Sequence, residues 1–204
     1  MKDIPIFTGC DGIATLILSQ IPYRGEAFAL IRSVFTNAAA CIRECESFCR
    51  AAGADQVYFG GHADFGAFEL YASIIEREAP SLPQTDAIAV PTSEFAWWAE
   101  TYNEKFKAIP AAKYCITPEN PYIIKHNGEI IGIGQVGGNT IRSVAALQKG
   151  RGADCVCALA RLCDGQPIRL LCAEQNLSAM RLYDRLGFSR GERKEVWYKK
   201  TLAF

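Results

Sequence analysis

Residues 176–188 read Asn176-Leu177-Ser178-Ala179-Met180-Arg181-Leu182-Tyr183-Asp184-Arg185-Leu186-Gly187-Phe188. Ala179, Leu182, Tyr183 and Leu186 recur at helical spacing and form one apolar stripe, which predicts a helix from Leu177 to Leu186 stopping at Gly187. Pro167 to Ala173 ahead of it reads as a strand, and Phe188 to Lys200 behind it as a closing pair of strands. Further back, Tyr122 to His126, Asn127-Gly128 and Glu129 to Val136 form a hairpin, because Asn-Gly suits a two-residue type I′ turn. Gly137-Gly138-Asn139 turns the chain into a third strand, Thr140 to Ala146. The glycine-rich loop Lys149-Gly150-Arg151-Gly152 then opens a helix from about Ala153 to Cys163.

Upstream of this run, Ala87 to Val90 reads as a short strand, and Thr92 or Ser93 caps a helix reaching Phe106. Residues 108–120 carry little signal. In the first third, Ile13 to Ile21 and Glu26 to Val34 read as strands joined by the hairpin-sized Pro22-Tyr23-Arg24-Gly25. A helix from Asn37 to Ala52 stops at Gly53, and Gln56 to Phe59 is a short strand. Residues 65–77 fit either helix or strand. Pro80 and Ser81-Leu82-Pro83-Gln84-Thr85-Asp86 look like a connector, so the chain is expected to divide into residues 1–86 and 87–204. Both parts contain a hairpin followed by a helix and a strand.

Two glycine patterns compete for a nucleotide. Gly132-Ile133-Gly134-Gln135-Val136-Gly137 matches the dinucleotide fingerprint, but that motif works only where a strand ends and a helix begins. Here it lies inside a hairpin strand with another strand after it, so the match is read as accidental. The later loop has the right context. Its backbone N–H groups and the positive end of the helix dipole suit a diphosphate, with Lys149 and Arg151 adding charge. It carries no Gly-Lys-Ser/Thr, which disfavours a nucleoside-triphosphate loop.

The run Asn176-x-x-Ala179-x-x-Leu182-Tyr183-x-x-Leu186-Gly187-Phe188 resembles a signature segment of the GNAT superfamily of N-acetyltransferases. The strand ahead of it and the order hairpin, strand, glycine loop, helix also fit, so the resemblance covers residues 87–200. It implies an α/β acyl-CoA N-acyltransferase fold with a mixed central sheet, preceded here by a smaller α/β N-terminal domain. That first part is expected to be a degenerate relative of the same fold, closing over the acceptor site. The resemblance also implies direct transfer of an acetyl group from acetyl-CoA to an amine, small or peptide-borne. Coenzyme contacts would fall on Val144, Ala145 and Ala146, on Lys149, Gly150, Arg151, Gly152 and Ala153, and on Asn176 and Ala179. Tyr183 would be the general acid for the departing thiolate. The family loop reads Gln/Arg-x-x-Gly-x-Gly/Ala, and two registers are open here. With Gly152 first, Lys149 takes the basic position and Asp154 the second small one. With Gly150 first, the glycines fit and Leu147 takes the polar position. Asp154 would face phosphate charge unless turned away.

The chemistry asks for the same parts. An amine must lose its proton before it attacks a thioester, and the oxyanion needs a donor, which a backbone N–H near Val144 to Ala146 supplies. Glu174, just past a strand end, is the best-placed carboxylate for a base. His62 and His126 have no evident partners, and no Gly-x-Ser-x-Gly occurs, which argues against hydrolases. A non-catalytic acyl-CoA-binding or regulatory protein, and a structural α/β protein, remain as alternatives.

Composition sets the outer bounds. The 204 residues carry 22 basic and 22 acidic side chains, so the footprint of a nucleic-acid binder is missing. Ile4 to Tyr23, the most apolar early stretch, contains Asp11 and is broken by Pro5, Gly9, Gly12 and Pro22, so no membrane span is expected. Met1-Lys2-Asp3 is a poor signal-peptide start, and a soluble, cytoplasmic protein is predicted. The nine cysteines form no Cys-x-x-Cys pair and suit reduced thiols. Cys41, Cys45 and Cys49 share a stripe with Ala38, Ile42, Phe48 and Ala52, which predicts core packing with no metal bound.

Overall fold

Buried apolar residues in this chain gather into separate clusters. The computed structural model, which describes residues 1–200, divides accordingly into Met1–Ser73 with the chain from Glu195, and Ile74–Lys194. The Ser81–Asp86 connector thus lies inside the second unit.

The first unit contains β1 (Ile4–Thr8), β2 (Gly12–Ile17), the single helical turn α1 (Ile21–Arg24), β3 (Glu26–Val34), α2 (Ala38–Ala51), β4 (Gln56–Gly61) and residues 68–73 of β5 (Phe68–Ala79). β1, β2 and β3 are antiparallel neighbours, while β3 and β4 run parallel in six consecutive pairs from Glu26↔Gln56 to Ile31↔Gly61. The predicted hairpin turn at 22–25 is helical instead. Pro22 presets φ at the start of the turn, and Gly25, at φ +66°, returns its N–H to the Ile21 carbonyl at 3.0 Å. The ambiguous stretch 65–77 resolves as β5 from Phe68 onward. β1 is a strand that periodicity missed, because Pro5 and a bulge between Ile4 and Phe7 interrupt its alternation.

α2 turns the cysteine stripe inward. Cys41, Ile42, Cys45 and Cys49 pack against Ala14, Leu16, Ile31 and Phe59. Burial pushes the Cys45 thiol up to about 12 and that of Cys49 to about 11, so both stay protonated. They pack as small hydrophobes.

The second unit takes residues 74–79 of β5 and adds β6 (Ile88–Pro91), α3 (Phe95–Phe106), β7 (Pro121–His126), β8 (Glu129–Gly137), β9 (Thr140–Ala146), α4 (Gly152–Ala160), β10 (Ile168–Ala173), α5 (Leu177–Arg185) and residues 189–194 of β11 (Ser189–Lys200). β11 is one strand where a pair was expected. Its end pairs with β4 of the first unit, Tyr198 opposite Phe59. Within the second unit the order is β6-β7-β8-β9-β10-β5. β6 to β9 are antiparallel, β9 and β10 parallel, and β10 and β5 antiparallel. The Asn127-Gly128 turn has both residues at positive φ, +50° and +83°, as type I′ requires.

The glycines of the false fingerprint have a packing reason. A Cβ on Gly132 would stand 2.4 Å from Cys155 Sγ, and one on Gly134 would stand 2.3 Å from Leu159 Cδ1. They are bare because α4 lies flush on β8. The core beneath α4 and α5 joins Ile124, Ile141, Val156, Leu159, Leu170 and Phe188, while Trp98 of α3 packs on Ile133 and Ala145. No helix among the described residues is long and apolar enough to cross a membrane.

Candidate active site

β9 and β10 begin side by side and then separate. They pair only at Thr140↔Arg169 and Ile141↔Leu170. Beyond these, β9 stays with β8 as far as Gly132↔Ala146, and β10 stays with β5 as far as Ala173↔Ile74. Each strand follows its outer neighbour, so the backbone edges of Ser143 to Ala146 and Leu171 to Ala173 do not pair with each other. A bulge in β9, where Arg142 is the extra residue opposite the Gln135–Val136 step of β8, sits at the start of this divergence.

A cavity of about 690 Å³ opens beside the parted end of β9. Val144 and Ala146 line it from β9, residues 147–150 with Gly152 and Ala153 from the loop and the start of α4, and Asn176, Ala179, Leu182 and Tyr183 from the α5 segment. Its volume is in the range of small-molecule sites. Gly150 adopts φ +87° with open space around it, so backbone conformation is what demands glycine there. At Gly152 the demand is close approach, since a Cβ would meet Leu182 Cδ2 at 3.0 Å. No side chain caps α4. The first N–H groups of a helix have no partner within it, so this terminus presents donors and the positive end of the helix dipole to the cavity.

Asp154 does not face the cavity. Its carboxylate accepts from Thr85 Oγ1 at 3.1 Å and from Arg151 Nη1 at 3.0 Å. Arg151 is spent on that ion pair and does not line the cavity, whereas Lys149 does. Ala145 faces the other side of the sheet, toward Trp98. Asn176 lines the cavity and also caps α5, its Oδ1 accepting from the Ala179 N–H at 3.2 Å.

Tyr183 is buried, with its ring edge-on to Phe188 at 5.5 Å between centroids. Burial raises its phenol above the ordinary value, and the nearby Cys172 thiol adds to that while Arg77 opposes it. A phenol raised in this way stays protonated at neutral pH and is available as a donor. α5 is held by Arg77, which is fully buried on β5. Its guanidinium donates to the carbonyls of Met180 at 3.2 Å, Phe188 at 2.7 Å and Ser189 at 3.3 Å, and pairs with Asp184. Glu174 stands apart from this group. It does not line the cavity, and both its oxygens are engaged, one by Arg190 and the other by Arg193 Nε at 3.1 Å.

Lys105, Ser178, Leu182 and Arg185 line the cavity too, beyond the residues expected from the sequence. Ser178, Leu182 and Arg185 stand at i, i+4 and i+7 on α5, a spacing that marks one helix face. Lys105 comes from α3 and has no local signature. The lining holds three cations, Lys105, Lys149 and Arg185, and no carboxylate. Among the described residues no cluster of metal-binding side chains occurs.

No family model matches the chain, and no curated protein matches it in sequence. Solved structures do match its fold. A conserved protein of unknown function from Staphylococcus epidermidis superposes with a TM-score of 0.63 at 14% identity, covering 96% of this chain and 93% of its own. A putative acetyltransferase from Pyrococcus horikoshii gives 0.61 at 14% identity, covering 94% of this chain and 70% of its own. A GCN5-related N-acetyltransferase from Kribbella flavida gives 0.52 at 13%, covering 97% and 86%.

Proposed function

The chain has the fold of the GCN5-related N-acetyltransferases, and from that premise we propose that it transfers an acetyl group directly from acetyl-CoA to an amine. The observation that carries the reading is the parting of β9 and β10 beside a glycine-opened, uncapped helix. A parted parallel pair exposes backbone donors along one edge and leaves room for a narrow, extended arm between the strands. The diphosphate of the donor rests on the N–H groups of Gly152 and Ala153, with Lys149 at its side. The pantetheine arm follows Val144 and Ala146, which brings the thioester near Tyr183. Ala145 contributes backbone, since its side chain faces Trp98.

The amine, once neutral, attacks the thioester carbonyl, and a β9 backbone N–H stabilises the oxyanion. Collapse breaks the C–S bond. Tyr183 gives its proton to the sulfur, and the proton lost from the nitrogen restores the phenol through solvent. Glu174, held by two guanidiniums, is left as a brace for the chain after β10, and water serves as the base.

The first unit repeats the element order of the second, with three antiparallel strands, a helix and a parallel strand. We read it as a degenerate counterpart. Its parallel pair is closed over six positions, and Asn37 Oδ1 caps α2 by accepting from the Ala40 N–H at 3.1 Å. The transfer chemistry is therefore assigned to the second unit. Titration with acetyl-CoA, followed by thiol release across a panel of amines, tests the proposal. Saturable binding with amine-dependent thiol release is expected. Absence of binding at high micromolar donor sinks it, and binding without release with any amine removes the transferase step.

A further inference from the structure

One residue at the start of α4 carries the wrong charge for the proposed ligand. Asp154 is the third residue of the helix, in the same first turn whose N–H groups are assigned to the donor's diphosphate. A carboxylate in a first helical turn is drawn to those groups and to the positive end of the dipole. No side chain caps α4, however, and Asp154 does not line the cavity. Two donors hold its carboxylate away, Arg151 Nη1 at 3.0 Å and Thr85 Oγ1 at 3.1 Å. An ionised carboxylate only accepts, so the Thr85 hydroxyl directs its proton to Asp154. The hydroxyl is itself fixed, because it accepts from the N–H of fully buried Ala87 at 3.2 Å. The Thr85 carbonyl accepts from Arg161 Nη1 at 3.4 Å, so this one residue of the 81–86 connector touches α4 near both its ends.

The balance between the two places for this carboxylate is close. The Arg151 and Asp154 side chains are 38% and 31% exposed, and an ion pair so open to water holds weakly. The helix start attracts an anion with a pull of similar size. Thr85, anchored outside the helix, is the contact that decides. Resting on the acyl-CoA reading, we infer that Thr85 is a positioning residue that keeps Asp154 from occupying the diphosphate cradle as an internal anion. Without the hydroxyl, the carboxylate turns to the free N–H groups at the helix start, where it takes the donor's contacts and repels its charge. The connector thereby sets the affinity of the loop.

The test is a cycle of the full chain as wild type, Thr85→Val, Asp154→Ala and the double variant, with acetyl-CoA affinity read by calorimetry. Thr85→Val keeps the shape of the side chain and should weaken acetyl-CoA by about fivefold, the scale of one charge at a helix end. Asp154→Ala breaks the same hydrogen bond but removes the competitor, so its affinity should equal or exceed that of wild type. In that background Thr85→Val should change affinity by less than about twofold. Thr85→Ser retains the hydroxyl and should bind within about twofold of wild type. A network that merely braces the fold predicts the opposite sign for Asp154→Ala, a loss like that of Thr85→Val. Unchanged affinity in Thr85→Val, or weakened affinity in Asp154→Ala, overturns the inference and leaves the acyl-CoA reading standing. Failure of wild type to bind acetyl-CoA overturns both.

Discussion

Replacing Tyr183 with phenylalanine removes one oxygen from the proposed site and little else. The ring keeps its edge-on contact with Phe188 at 5.5 Å and its place over the core. The lost hydroxyl has no hydrogen-bonding role in the fold among the described residues, so no buried partner is orphaned. Stability should therefore change by no more than about 0.5 kcal/mol, or about 1–2 °C in Tm for a chain of this size. Acetyl-CoA affinity should hold within about threefold, because the phosphates and the arm are held by other groups. Loss of a general acid should lower kcat by about 10²–10⁴-fold, which corresponds to about 3–5 kcal/mol of barrier. Burial raises the Tyr183 phenol, so the donating form persists with rising pH and is lost only as pH passes the raised value. Wild-type kcat should therefore show no fall from this group up to about pH 10, the ordinary phenol range. The assay is steady-state thiol release for both proteins from pH 6 to 10, with thermal melts beside it. An unchanged kcat refutes the acid role. A lowered kcat with Tm down by several degrees would assign the loss to packing instead.

Other expectations follow from the same contacts. Gly134→Ala forces a methyl to within 2.3 Å of Leu159 Cδ1 and 2.8 Å of the Ser143 carbonyl. It should cost about 2–3 kcal/mol, the scale of overpacking, and a melt within 1 °C of wild type would contradict the packing role given to that glycine. Gly152→Val aims branched carbons into the anion cradle and should weaken acetyl-CoA by at least about thirtyfold, with the far-UV spectrum unchanged; unaltered affinity places the donor elsewhere. Arg77→Met leaves the Met180, Phe188 and Ser189 carbonyls without their donor. A loss of about 3 kcal/mol is expected, the upper scale for hydrogen bonds made by a charged group, seen as a lower urea midpoint. Cys45 and Cys155 are pushed to about 12 from an ordinary 9.0, and Cys49 and Cys172 to about 11, in each case chiefly by burial. A raised pKa means stability that is full below pH 9 and drains as pH climbs toward the folded values, since the unfolded chain gives up its thiol protons first. Each group should remove about 1 kcal/mol by pH 10, so the urea midpoint should be level from pH 6 to 8.5 and fall steeply above 9. A flat profile to pH 10.5 would count against the buried protonated thiols.

Local chemistry carried most of what was legible in advance. Asn127-Gly128 placed a hairpin because both residues tolerate positive φ, and the stripe of α2 placed its cysteines in a core because helical spacing puts them on one face. The strand-loop-helix setting separated Gly150 and Gly152, before and at the start of α4, from Gly132 and Gly134 inside β8. Where residues carried two local meanings, the sequence was silent or misleading. Residues 22–25 held a composition that suits a hairpin turn and a single helical turn alike, with Pro22 near the start and Gly25 closing at positive φ. Within the stretch 65–77, residues from Ile74 on took their identity from pairing with β10, a partner about ninety residues away. The orientation of Asp154 depended on Thr85, and that of Arg151 on Asp154.

The sequence by itself determined α2, the elements from β6 to α5 and their order, and the run 176–188 that pointed to the fold, because these depend on backbone preference and on spacing within one helix or strand. Tertiary structure alone decided where β9 and β10 part, which cations meet in the cavity, and that Glu174 is tied to Arg190 and Arg193. Those are relations between residues far apart in the chain. Side chains such as Lys105 and Arg185 come together only after three helices have docked on the sheet, so no short stretch of sequence carries a sign of it.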